Sequence, residues 1–242
     1  MSRQPRSIAI NVGANTNMPG FRGPVYPDGR FEYVPIPEEK STREAVPTYG
    51  DLELGFDVPD DVRDTPVHLD PEFTEYPTCE HYSYGDDHGV KAGPLSKLEP
   101  GDSLLFYATL TFHGNADTAA DWIAPDWGAY LVGEFRVARA VTGDDYAALS
   151  ADDRAAFSNN AHVKRDPVDA KVLVEGEDTS RLFEYAVPLS SSEAGATANR
   201  LVTELSNDSG KGPWWRRRLW YDADATRELR DIVDGWPTSS VC

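Results

Sequence analysis

The side chains in this chain that could do chemistry fall in a few short stretches. In Val67-His68-Leu69-Asp70-Pro71-Glu72-Phe73 the titratable groups stand two apart. In an extended segment, where side chains alternate, His68, Asp70 and Glu72 would share one face. His162, within Ser158-Asn159-Asn160-Ala161-His162-Val163-Lys164-Arg165, could complete the group. These are ligand-type side chains, but no HExxH or ordered Cys/His set accompanies them, so no metal site is assigned. The chemistry expected is proton transfer by an imidazole that a carboxylate orients, with a structural His–Asp bond as the plain alternative. Glu38 is the best-fixed acid–base candidate, because Pro35 and Pro37 stiffen the chain before it. Asp28, in Pro27-Asp28-Gly29, reads as a turn residue, and Glu32 as the solvent face of a strand. Glu38, His68, Asp70 and His162 are therefore the expected catalytic residues.

Binding groups lie elsewhere. Asn11 and Asn15, with Asn17, come after the apolar Ile8-Ala9-Ile10. Their amides could read a base edge or ribose, or merely close a Gly-Asn turn. Asn160 and Arg165 form one polar group, Ser180 and Arg181 another. Either arginine could grip a phosphate bidentately or serve as an ordinary ion-pair partner. Trp214-Trp215-Arg216-Arg217-Arg218-Leu219-Trp220 is the local basic-aromatic run. It fits stacking on single-stranded nucleic acid, or a segment docked by its tryptophans with arginines facing carboxylates.

Several chemistries find no support. There is no GxxxxGK[ST], no GxGxxG after a strand, no GxSxG, and no HxE with PCxxC. Cys79 and Cys242 form no CxxC pair, which suits reduced cytosol. The residues imply no particular cofactor. The formal net charge is −18, with 41 acidic against 23 basic residues. The acids are dispersed, the pattern expected of a halophilic (archaeal) host whose protein surfaces must stay hydrated in molar salt. No apolar run nears the ~20 residues that span a bilayer, so a cytoplasmic protein without a membrane partner is expected.

Periodicity predicts the elements that must position these groups. Ser103–Leu110 is the most apolar run and predicts a buried central strand, paired antiparallel with a second over 129–138. Further strands are expected at 8–10, 30–34, 171–176 and 180–189, short helices across 144–157, and helices over 193–205 and 223–235. Asp222 caps the last of these and Gly235 stops it. The fold class is α+β: a single domain over 8–237 around a mixed or antiparallel sheet, with peripheral helices and more helix towards the C-terminus. Residues 1–7 and 238–242 read as tails.

An ordered set of segments carries a resemblance: NVGAN, PDGRFEYVPIPE, HLDPEF, YGD, GDSLLFYATL, YLVGEFRV, NNAHVKR and SRLFEYAVPLS. With these the chain resembles the third type of nucleotide-modification-associated domain, over nearly its whole length. The resemblance implies association with enzymes that alter bases in DNA or nucleotides, and a nucleotide or DNA base as partner, without supplying a reaction. Gly-Asp before an apolar strand, then a Val-Gly-Glu strand, is also similar to the sheet of PUA-like barrels that bind modified bases. Three functions are expected in consequence: a nucleotide- or base-modifying enzyme or subunit, a non-catalytic reader of modified bases, and a structural partner in a modification or defence complex.

Overall fold

Ser103–Leu110 has apolar side chains on both faces, so it must be covered on both, and the rest of the sheet is arranged to do so. In the computed structural model, which describes residue 4 and residues 6–238, this run forms the strand Ser103–Phe112, its first eight residues buried. The expected tails lie mostly outside the described residues, and Ser7 already belongs to a strand. The strands are β1 (Ser7–Asn11), β2 (Pro24–Val25), β3 (Ile36–Pro37), β4 (Val67–His68), β5 (Ser83–Asp86), β6 (Ser103–Phe112), β7 (Trp127–Thr142), β8 (Val172–Gly176), β9 (Arg181–Pro188) and β10 (Leu219–Tyr221). The α-helices are α1 (Gly89–Leu95), α2 (Gly143–Tyr146), α3 (Ala151–Ala155), α4 (Ala161–Lys164), α5 (Arg200–Thr203) and α6 (Ala223–Gly235). The fold is α+β with a mixed sheet, and the pairings close no ring among the described residues.

Contacts divide the chain into two compact units: Met1–Val34, Ser103–Glu134 and Phe183–Cys242, then Pro35–Asp102 and Phe135–Leu182. In the first unit β1 runs parallel to β6, with Ile8 opposite Leu104 and Ile10 opposite Phe106. β10 lies antiparallel on the other side of β1, β7 flanks β6, and β9 pairs with β7. Ala9, Leu105, Tyr107, Ala129 and Leu131 project to one face and pack with α6. The helix contributes Ala225, Leu229, Ile232 and Val233, the i, i+4, i+7, i+8 stripe of a core-facing helix. Asp222 caps it, accepting from the amides of Asp224 and Ala225 at 3.1 and 2.9 Å. Trp214 is fully buried in the same core and donates from its indole to the Ala196 carbonyl, while Arg217 pairs with Asp208 at 3.0 Å. The basic-aromatic run is thus docked by its first tryptophan.

Two expected elements differ. Among the described residues, 30–34 make only the single bridges Val25–Phe31 and Arg30–Tyr185, since Pro35 has no amide with which to extend a ladder. Helix within 193–205 is confined to Arg200–Thr203. Gly195 presses so closely on Trp127 that a Cβ there would lie 1.7 Å from its carbonyl oxygen, and the Asn199 cap serves only the single turn beyond it.

In the second unit β8 lies antiparallel to both β5 and the later part of β7, with Tyr84 opposite Val174 and Gly85 opposite Leu173. Its core includes Phe73, Leu95, Phe135, Phe157 and Val172–Val174, with Phe73 and Phe135 edge to face at 5.3 Å. The two-residue strands β3 and β4 pair antiparallel, placing Ile36 opposite His68.

Candidate functional site

Within the second unit, three local rules bring one cluster together. The β3–β4 pairing sets Ile36 beside His68, and the Glu38 amide continues the contact onto the Pro66 carbonyl at 2.9 Å. The strand stops after His68, as Pro71 requires, and the chain turns so that the Asp70 amide bonds the His68 carbonyl. The Asp70 carboxylate then accepts from the Gly85 amide at 3.0 and 3.1 Å. Asn160 caps α4, its Oδ1 accepting from the His162 amide at 3.0 Å, and its Nδ2 reaches Asp70 Oδ1 and Ser83 Oγ, both at 3.1 Å. A residue expected to bind substrate is here the brace between His162 and Asp70, with no solvent exposure.

Two imidazoles meet edge to face, their centroids 4.8 Å apart. His68 Nδ1 lies 2.6 Å from Glu38 Oε2, and His162 Nδ1 2.8 Å from Asp169 Oδ1. A carboxylate only accepts, so each Nδ1 carries a hydrogen, and in the neutral form of either ring Nε2 holds the lone pair. Both Nε2 atoms face Asp70 Oδ2, at 3.8 Å from His68 and 3.5 Å from His162. His68, Asp70, His162 and Glu38 are all less than a tenth exposed. Arg165 lies behind the rings. Its guanidinium bonds Glu38 at 2.9 and 3.1 Å and Asp169 at 3.0 Å, with a terminal nitrogen 3.2 Å from each Nδ1. The carboxylate contacts are the shorter, which fixes the tautomer as stated. Lys40 joins Asp87 and Asp169 at 2.8 and 2.6 Å.

Burial would raise Glu38, but hydrogen bonds from His68 and Arg165 and from the Lys40 amide outweigh it and hold its pKa at about 2. Burial pushes Asp70 well above the usual carboxylate range, and Asp86 adds to this against the bonds from Gly85 and Asn160. Burial pushes His162 down to about 4, helped by His68 and Arg165 and opposed by Asp169. Neighbours set to opposite protonation are the arrangement that supplies an acid and a base from one site.

The other expected residues lie outside this cluster. Glu72 is fully buried on the far side of Ser83, accepting from Ser83 Oγ, the Glu80 and His81 amides and Asn159 Nδ2. The alternation argument thus fails beyond the turn at Asp70. Ser180 Oγ accepts from the Arg136 amide, and Arg181 opens β9. Asn11 and Asn15 belong to the first unit. There Asn11 Nδ2 reaches the Tyr107 carbonyl at 3.4 Å, and Asn15 Oδ1 accepts from the Asn17 amide, closing its own turn. Lys40, Gly85, Asp87 and Asp169 were not singled out by sequence. The available signals were Lys40 two residues after Glu38, and Asp169 at i+4 from Arg165. Gly85 is needed for close approach, since a Cβ there would lie 2.6 Å from His162 Cδ2.

A family model described as nucleotide modification associated domain 3 matches residues 6–231. The chain belongs to that family. The domain 3 match spans the sheets of both units and every residue of the cluster, from Glu38 to Asp169. No curated protein and no solved structure gives a significant match. Among the described residues, no helix of this family member is long and apolar enough to cross a membrane.

Proposed function

We propose that this member of the nucleotide modification associated domain 3 family is an enzyme, or a catalytic subunit, that modifies a nucleotide or a base in DNA, and that the buried histidine–carboxylate cluster is its working site. The observation that carries the reading is the placement of two imidazoles with their Nδ1 atoms anchored to separate carboxylates and both Nε2 atoms turned to Asp70. Stability alone does not call for this, because burying such groups costs more than burying an apolar set of equal volume. In this reading His68, Asp70 and His162 touch the reacting atoms, while Glu38 and Asp169 set the tautomers and Arg165 holds those carboxylates in place. An open cleft of about 480 Å³ lies beside the residues that follow His162, lined by Val163 and Lys164 with Arg43, Glu44, Arg154 and Tyr146; its cations suit a phosphate and its ring a base. Action in the cytoplasm of a halophilic host, beside other DNA-modification enzymes, belongs to the same reading.

The test is mass spectrometry of nucleosides digested from host DNA, comparing the intact gene, a deletion and a His162→Ala allele. A modified nucleoside present only with the intact gene is the expected result. If all three profiles coincide, no modification depends on this chain and the enzyme reading fails. A reader of modified bases would instead retain the modification in the deletion strain and bind the modified base directly.

A further inference from the structure

We propose that His68, Asp70 and His162 bind a divalent first-row transition-metal ion through the two imidazole Nε2 atoms and Asp70 Oδ2. This deepens the reading of the same cluster as the working site. The three side chains are buried, and each offers one ligand atom within 4.8 Å of the others. The Nε2–Oδ2 separations of 3.8 and 3.5 Å are too long for hydrogen bonds. They suit atoms that share an ion, since ligands about 2.0–2.2 Å from a metal stand roughly 3–3.6 Å from one another. Closing the site requires the three ligand atoms, all within 4.8 Å of one another, to draw in to the separations that a shared ion sets.

The outer contacts support the same conclusion. A metal-ligating histidine typically donates its other ring N–H to a carboxylate, which fixes the tautomer and strengthens the ligand. Here both histidines do so, to Glu38 and Asp169. Asp70 is held by Gly85 and Asn160 while its Oδ2 faces the imidazoles. The neighbouring trio of Asp87, His162 and Asp169 is a poorer site, because the Lys40 ammonium already joins its two carboxylates. Two imidazoles and one carboxylate select an iron, manganese, cobalt or zinc ion over magnesium or calcium, which prefer all-oxygen ligands. Three protein ligands also leave coordination positions for water or substrate.

The experiment uses the full chain, stripped with chelator and titrated separately with manganese(II), cobalt(II), zinc(II) and, without oxygen, iron(II). Binding is read by calorimetry and by metal analysis after gel filtration. The expected result is one ion per chain for at least one of these metals. His68→Ala and His162→Ala should abolish stoichiometric binding, and Asp169→Asn should weaken it about 10- to 100-fold. Circular dichroism checks that each variant folds. Should the histidine variants fail to fold, pulsed electron paramagnetic resonance of wild-type protein loaded with copper(II) decides, by showing two imidazole ligands or not. Absence of stoichiometric binding, or binding unchanged in both histidine variants, overturns the proposal. If no metal binds but His162→Ala still removes the modified nucleoside, the metal site fails and the enzyme reading stands. If metal binds and no nucleoside changes, the metal site stands and the enzyme reading fails.

Discussion

At the scale of the residue, Gly85 and Cys79 show how burial sets what a group can do. Gly85 gives its amide to Asp70 while its α-carbon lies against the His162 ring. In Gly85→Ala the new methyl would meet His162 Cδ2 at 2.6 Å and Asn160 Oδ1 at 2.9 Å, and both side chains are held by hydrogen bonds. The substitution should destabilise the protein by about 1–3 kcal/mol, the usual cost of overpacking. Urea titration measures this, and a midpoint equal to wild type would show that the ring can move aside. Burial, with Glu72 adding to it, pushes the Cys79 thiol up to about 12. A raised thiol pKa means less thiolate near neutral pH, by roughly 10³-fold relative to an ordinary cysteine. In a Cys242→Ser background, alkylation of Cys79 should therefore be very slow in the folded protein and fast in urea. Equal rates would place the thiol in water.

At the scale of the element, short pieces are held by caps and by their neighbours. α4 has four residues, too few to be stable alone, and the Asn160 side chain fastens it to Asp70 and Ser83. α6 differs, because its apolar stripe and its cap are both local features. Asp222→Ala removes the acceptor of two first-turn amides and should cost about 1 kcal/mol. Asp222→Ser should recover most of that loss in thermal denaturation. No loss in the alanine variant would mean that packing alone sets where the helix starts. α6 was therefore legible residue by residue from sequence. The longer helix expected over 193–205 was not, because Gly195 is recruited to pass close to Trp127, a partner 68 positions earlier that no local pattern reveals.

At the scale of the whole molecule, the formal net charge of −18 dominates. Like charges spread over a surface repel more when folded than when the chain is expanded, and salt screens that repulsion within a Debye length of about 10 Å at 0.1 M and about 3 Å at 1 M. The melting temperature should therefore rise as potassium chloride is increased from about 0.1 M to about 1 M. Differential scanning calorimetry across that range is the check, and a flat or falling trend would show that surface repulsion contributes little. Polyanionic substrates should likewise gain, or lose little, affinity with salt, the opposite of a basic nucleic-acid protein.

The sequence by itself determined the α+β class, the buried β6, its neighbour β7, the capped α6 and the residue types of the site. Each rests on periodicity or on a short-range rule. It also led to Glu38, His68, Asp70 and His162, because proline-fixed carboxylates and closely spaced His and Asp are visible in one dimension. Only the tertiary structure decided which carboxylate meets which imidazole. Glu38 and Arg165 are 127 positions apart, and their meeting depends on the β3–β4 register and on the docking of α4. The same packing turned Glu72 towards Ser83, used Arg165 and Asn160 as braces, and brought in Lys40, Asp87 and Asp169. A side chain's type is written in the sequence, but its partner, its burial and hence its protonation are set by what the fold packs against it.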